Sequence, residues 1–317
     1  MRLGSGPRRA WSMLVLMCAL SAVFTGCSDP PPPEPTEPSE PTPETEDEVT
    51  DPTPSLPVVE DAPPPLAEPP PLPEAEVLRI SANGVTLVGD LRAVEGAPTA
   101  PLVVLVHQLS SQRAEWTPLL RHLAADPALA TFAVDMRGHG ESTEGRGGQT
   151  LAWQAFEPSD WEAVEGDLVA VLDALLERLR PARVILVGSS IGSSAVVRAA
   201  AEDERVHAVA ALSPGRAYRG LDALTPLTAL GSRPLLALAS RQEQAAAETA
   251  RDMARIAPAG RHELVDGDVH GVSMFEEDPA SLAHLVAFVR EQAVAQPTEL
   301  AEPSEVAAEP QTGSSDD

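Results

Sequence analysis

The run Gly188-Ser189-Ser190-Ile191-Gly192 sets one serine midway between two glycines. An apolar, β-branched stretch, Val184 to Val187, precedes it, and the small residues Ser193-Ser194-Ala195 follow. A G-x-S-x-G pattern between a buried strand and a helix is a nucleophile elbow. The turn is tight enough to strain the serine backbone, and side chains at positions 188 and 192 would collide across it, so glycine is required there. Ser190 then projects at a helix N-terminus, where backbone N–H groups and the helix dipole favour developing negative charge. Ser189 lies off the centre of the pattern. The chemistry of such a site is acyl transfer through a serine nucleophile.

Strand and helix signals alternate around this site. Val85 to Leu91 alternates as a half-exposed strand would, and Val77 to Ile80 precedes it across the Asn83-Gly84 hairpin dipeptide. Continuous apolar runs at Leu102 to Val106, Thr131 to Val134, Val184 to Val187, Ala208 to Leu212 and Leu235 to Ala239 read as strands buried on both faces, with a shorter one at Glu263 to Val265. Between them, Trp116 to Ala124, Trp161 to Leu179, Ser194 to Ala201, Ala245 to Ile256 and Pro279 to Gln292 carry helical spacing. This order predicts an α/β fold: a mostly parallel sheet of about eight strands covered by helices on both faces. Chemistry is expected beyond the C-terminal ends of those strands.

With that order in place, the chain resembles the α/β-hydrolase family over roughly residues 77–293. The resemblance rests on the elbow, on Val106-His107-Gln108-Leu109 where the family has His-Gly after its third strand, and on Asp135-Met136-Arg137-Gly138-His139-Gly140-Glu141-Ser142, a loop common after the fourth strand. It implies an oxyanion hole built from the backbone N–H of Ile191 and a donor at Gln108 or Leu109. It also implies a structural role for the loop that holds His139. The family order of serine, acid, histidine points to His270, which follows the last strand. His262, His284, His122 and His207 stand at the wrong ends of strands or on helices. Nine residues after Pro234, where the family places its acid, stands Glu243, with Asp266 and Asp268 as alternatives. The segment 213–233 is too short for a large cap domain, and Tyr218 falls within it at the pocket rim.

The ends of the chain read differently. Arg2, Arg8 and Arg9, the apolar run Trp11 to Phe24, and Thr25-Gly26-Cys27 read as a signal peptide over residues 1–26. The residues before Cys27 resemble the bacterial lipobox, which implies lipidation of that cysteine. Residues 27–76 read as a disordered Pro/Glu-rich tether: from Ser28 to Glu76 there are 18 of the chain's 33 prolines and 14 acids, without a Lys or Arg. Residues 294–317 read as a disordered acidic tail. Most of the net charge of −26 therefore sits outside the folded part. No basic stripe suggests a nucleic-acid partner.

Together these features predict an exported serine hydrolase of carboxylic esters, or of related lactones and thioesters. It would need neither metal nor cofactor, and Cys27 would anchor it to a bacterial membrane, with the outer membrane favoured. The alternatives are a catalytically inactive surface lipoprotein with a binding role, or a serine peptidase. Oligomeric state is not encoded in any pattern of the sequence.

Overall fold

The computed structural model describes residues 63–126 and 128–295. Eight strands form the sheet: β1 Glu76–Ala82, β2 Val85–Arg92, β3 Leu102–Val106, β4 Ala130–Val134, β5 Val184–Ser189, β6 Ala208–Leu212, β7 Leu235–Ser240 and β8 Gly260–Val265. Their spatial order is β1-β2-β4-β3-β5-β6-β7-β8. The first two pair antiparallel through a turn at Asn83 and Gly84, both at positive φ, as a two-residue hairpin requires. From β4 to β8 every pairing is parallel. A two-residue strand, Glu144–Gly145, adds to β2.

The apolar runs become strands because burial on both faces favours side chains without polar atoms. Every residue of β3, β4, β5, β6 and β7 is buried. One face packs beneath α2 (Pro158–Leu179), α3 (Ile191–Glu202) and α4 (Gln244–Ile256). The other lies against α1 (Thr117–Leu123), the short α5 (Met274–Glu277) and α6 (Pro279–Val294). Helix boundaries fall within a few residues of those expected. The last strand begins three residues early, at Gly260, because an edge strand tolerates the polar pair Arg261-His262 that hides it from hydropathy.

The expected tether boundary at residue 76 needs correction. Residues 63–75 lie along the domain without regular secondary structure. Leu66 and Leu72 pack against the α1/α6 core, and Arg92 Nε donates to the Pro73 carbonyl at 2.9 Å. Two leucines among the prolines supply apolar contact that a purely polar spacer would lack. The expected signal region, Cys27, the tether up to residue 62 and the tail from residue 296 lie outside the described residues.

The crossover from β6 to β7 carries a small hairpin, Ala217–Tyr218 paired with Leu221–Asp222, and a 3-10 turn, Thr225–Leu230. Arg219 and Gly220 form its turn at φ 51° and 86°. Among the described residues no larger cap is inserted. The C-terminal strand ends therefore present His107, Asp135, Ser190, Ser213, Glu243 and His270 on one rim of the sheet, under a single short hairpin.

Candidate active site

Ser190 sits at the bend from β5 into α3 with φ 55° and ψ −118°. Such a conformation is costly for a residue with a side chain and persists only where neighbours fix it. They do so here. The Ser190 N–H donates to the Leu212 carbonyl at 2.8 Å, and the Ser190 carbonyl accepts from the Ser193 N–H at 2.9 Å and from Ser193 Oγ at 2.5 Å. A Cβ at Gly188 would come within 2.2 Å of the Gly192 carbonyl oxygen, and one at Gly192 within 2.3 Å of the Val106 carbonyl oxygen. Both glycines are thus fixed by the close approach of backbone.

Two loops carry His270 and Glu243, and they are laced together. Gln242 N–H donates to the Gly267 carbonyl at 3.0 Å, Gly267 N–H donates to Gln242 Oε1 at 2.8 Å, and Ser240 Oγ donates to the Val269 carbonyl at 2.6 Å. This lacing brings His270 Nδ1 to 2.5 Å from Glu243 Oε1. An imidazole whose Nδ1–H is given to a carboxylate leaves Nε2 free as an acceptor. The Gly271 N–H, next in the chain, donates to Ser213 Oγ at 2.8 Å and so ties the histidine loop to the end of β6. Gly271 has φ 63°, and a Cβ there would strike Gln108 Oε1 at 2.0 Å. Asp266 and Asp268 are exposed, and Asp266 faces Arg241 at 3.3 Å, away from the imidazole.

The segment after β3 departs from the expected donor pair. The Gln108 N–H is already used, donating to Glu115 Oε1 at 2.9 Å. Gln108 is therefore corrected as an oxyanion donor. Its side chain turns inward, where Oε1 accepts from Ser189 Oγ at 3.3 Å, so the off-centre serine is a structural partner. Among the described residues, the N–H groups of Leu109 and Ile191 make no hydrogen bond to the protein. Burial pushes the Glu115 carboxyl up to about 7, against the opposing pull of its hydrogen bonds. Sequence reasoning missed Glu115, because nothing in its local pattern marks a residue that turns back seven positions.

His107 is buried and bridges two loops. Its Nδ1 donates to the Gln108 carbonyl at 2.7 Å, and its Nε2 accepts from the Met136 N–H at 3.0 Å. Burial lowers its pKa to about 4, so it stays neutral and fixes the start of the segment after β3. The Asp135–Ser142 loop is held by its own hydrogen bonds. Asp135 accepts from the Arg113 and Glu141 N–H groups at 2.7 and 2.9 Å, and Ser142 Oγ donates to the Asp135 carbonyl at 2.7 Å. His139 stacks on Trp153 with ring centroids 5.5 Å apart, and a cavity of about 440 Å³ opens beside it, lined also by Ser110, Ser111 and Gln154.

Comparison with known proteins fits this geometry. Residues 101–265 match a family model described as alpha/beta hydrolase fold. An uncharacterized 31.7 kDa protein from the traX-finO intergenic region of Escherichia coli is 29% identical over 130 residues, 40% of this chain and 41% of that protein. The chain thus matches about two fifths of that curated relative's length. Among solved structures, a Pyrococcus furiosus esterase aligns with TM-score 0.56 at 15% identity, covering 69% of this chain and 91% of that one. The enol-lactonase of Burkholderia xenovorans aligns with TM-score 0.54 at 17% identity, covering 68% and 100%. At such identities the likeness concerns the fold.

Proposed function

Since the chain belongs to the α/β-hydrolase family, we propose that it is a serine hydrolase of carboxylic esters, working through Ser190, His270 and Glu243. The observation that carries this reading is the 2.5 Å contact from His270 Nδ1 to Glu243 Oε1 on the rim that holds the elbow serine. Ser190 Oγ attacks the ester carbonyl carbon and passes its proton to His270 Nε2. Glu243 keeps the second ring proton on Nδ1 and stabilises the imidazolium. The carbonyl oxygen, now negative, takes hydrogen bonds from the Leu109 and Ile191 N–H groups. Collapse expels the alcohol, which receives the proton from His270. Water then attacks the acyl-enzyme carbonyl and gives a proton to His270, and collapse releases the acid as His270 returns that proton to Ser190 Oγ. Lactones and thioesters can follow the same steps, since only the leaving group changes.

A rim covered by one short hairpin, with no larger cap among the described residues, suits small or medium acyl groups better than a long-chain triglyceride. The test is hydrolysis of p-nitrophenyl esters of graded acyl length by the full chain and by Ser190→Ala. Turnover that peaks at short or medium chains and vanishes in the variant is expected. Equal turnover by the variant would overturn the assignment.

The proposal extends to location. Cys27, behind a short apolar run, would carry lipid, and the Pro/Glu-rich spacer would hold the domain off a membrane surface. Labelling of the expressed chain with an alkyne fatty acid, lost in Cys27→Ala, tests this. Unchanged labelling would refute it. Among the described residues no helix is long and apolar enough to cross a membrane.

A further inference from the structure

Gln108 precedes the proposed donor Leu109, and both of its backbone groups are taken. Its N–H donates to Glu115 Oε1 at 2.9 Å, and its carbonyl accepts from His107 Nδ1 at 2.7 Å and from the Ser111 N–H at 3.3 Å. A trans peptide is planar, so its N–H points opposite to its carbonyl. The Leu109 N–H shares a peptide plane with the Gln108 carbonyl, so whatever aims that carbonyl aims the donor. His107 holds this plane at one end. Glu115 holds the preceding plane through the Gln108 N–H, and with both planes held the Leu109 N–H has one direction.

The surroundings make Glu115 a fixed point. It lies in the 3-10 turn Arg113–Trp116, between two anchors. Arg113 pairs with Asp90 at 2.9 Å and with Asp135, and Trp116 is wholly buried in the α1/α6 core. The second carboxylate oxygen of Glu115, Oε2, is buried without a hydrogen-bond partner. Burying a carboxyl that is only half satisfied opposes folding, so stability does not account for an acid at this position. Ser110, on the far side of Leu109, is held at φ 63°, a costly conformation that persists only where neighbours fix it. The donor thus sits between a clamped residue and a strained one.

We propose that Glu115 is a positioning residue for the oxyanion hole, holding the Gln108 N–H so that the Leu109 N–H faces the carbonyl oxygen of the substrate. The role rests on the serine-hydrolase reading above. Glu115 acts through Gln108 and Leu109, and it exchanges no proton in the reaction. Its effect extends to both half-reactions, since the same oxygen becomes negative in acylation and in deacylation. It also withdraws the Gln108 N–H from competition, which leaves Leu109 and Ile191 as the donor pair. Without its oxygen the His107–Gln108 peptide can rotate, and the Leu109 N–H leaves the line of the developing charge.

Two measurements on the full-length chain test the role. Glu115→Gln keeps an acceptor oxygen, whereas Glu115→Met keeps the volume and has none. A misplacement of about 1 Å in a reacting site costs on the order of 100-fold, so Glu115→Met should lose about 10- to 100-fold in kcat on a p-nitrophenyl ester, with KM little changed. Rates are taken per fluorophosphonate-titrated site, so unfolded molecules do not count, and Glu115→Gln should stay within about threefold of wild type. The second measurement needs no variant. Gln108-Leu109 is the chain's single Gln-Leu pair, so ¹³C′-glutamine with ¹⁵N-leucine marks one amide, that of Leu109. Phosphonylation of Ser190 places a P–O oxygen in the hole, and the Leu109 amide proton should move downfield, less so in Glu115→Met. A kcat of Glu115→Met within threefold of wild type, a Glu115→Gln variant as impaired as Glu115→Met, or a Leu109 resonance indifferent to phosphonylation would overturn the role. If wild type is phosphonylated and any of these results is found, this role alone falls. If wild type is not phosphonylated, the hydrolase reading falls and takes the role with it.

Discussion

Replacing Glu243 by Gln tests the electrostatic half of the site at constant shape. The carboxylate supplies Oε1 to His270 Nδ1 at 2.5 Å, while Oε2 is buried without a hydrogen-bond partner. Glutamine must fail in one of two ways. If its carbonyl faces Nδ1, its NH₂ occupies the buried position with no acceptor, at about 1–3 kcal/mol. If its NH₂ faces the ring, the imidazole must carry its proton on Nε2 and can no longer accept one from Ser190. In both arrangements the imidazolium loses its counter-charge. A fully buried triad carboxylate is worth about 10⁴ in kcat. Here the side chains of His270 and Glu243 are 38% and 21% exposed, so water screens part of the interaction. A loss of about 2–3 kcal/mol in the transition state is expected, or about 30- to 150-fold in kcat. The Glu243 side chain makes no cap bond to α4, so any loss of stability should not exceed the about 1–3 kcal/mol of the unpaired amide. The assay is kcat and KM on a p-nitrophenyl ester, with melting followed by circular dichroism. A kcat within threefold of wild type would refute the acid assignment.

Three further outcomes follow from the packing. Glu115 has a folded pKa of about 7 against an ordinary value of 4.5, so its ionisation opposes folding, and the stability present below pH 4.5 is lost as pH rises through 7. Glu115→Gln should therefore exceed wild type by about 3 kcal/mol at pH 8 and match it at pH 4.5, read by urea unfolding; equal stability at pH 8 contradicts this. Gly192→Ala would press a methyl against the backbone carbonyls of Val106 and His107, neither of which can swing aside. It should cost about 2–3 kcal/mol and abolish esterase activity, and a variant of unchanged midpoint and turnover would contradict the elbow geometry. Arg137 pairs with Asp167 at 2.5 Å, with both side chains under 10% exposed. Arg137→Met strands that carboxylate and should cost about 3–5 kcal/mol, much of it recovered by adding Asp167→Leu. No recovery in the double variant would point to lost packing in place of the stranded charge.

Much of this architecture was legible because strand burial is written in composition. Five central strands are buried and mostly apolar, and Ser190 and Glu243 stand one and three positions past the ends of two of them, with His270 five past the edge strand β8. The elbow was legible for a steric reason, since only glycine fits at 188 and 192. Glu243 could be found by its distance from Pro234, but its partner atom could not, because the loop lacing that aims it involves Gln242, Ser240 and backbone carbonyls. Gln108 was read by analogy as a donor. Its N–H was taken by Glu115 through a turn whose sequence, Arg113-Ala114-Glu115-Trp116, looks like any helix start. The strap at residues 63–75 was hidden in the same way, since proline content masks two leucines that find a core. Contacts between side chains distant in sequence are what local pattern cannot carry.

One hydroxyl carries the whole account, and mass spectrometry can address it directly. The full chain, treated with a fluorophosphonate and digested, should bear the phosphonyl group on Ser190 alone, with labelling slowed at least a hundredfold in His270→Ala. Modification of Ser189 or another serine, or a labelling rate indifferent to His270, would contradict it.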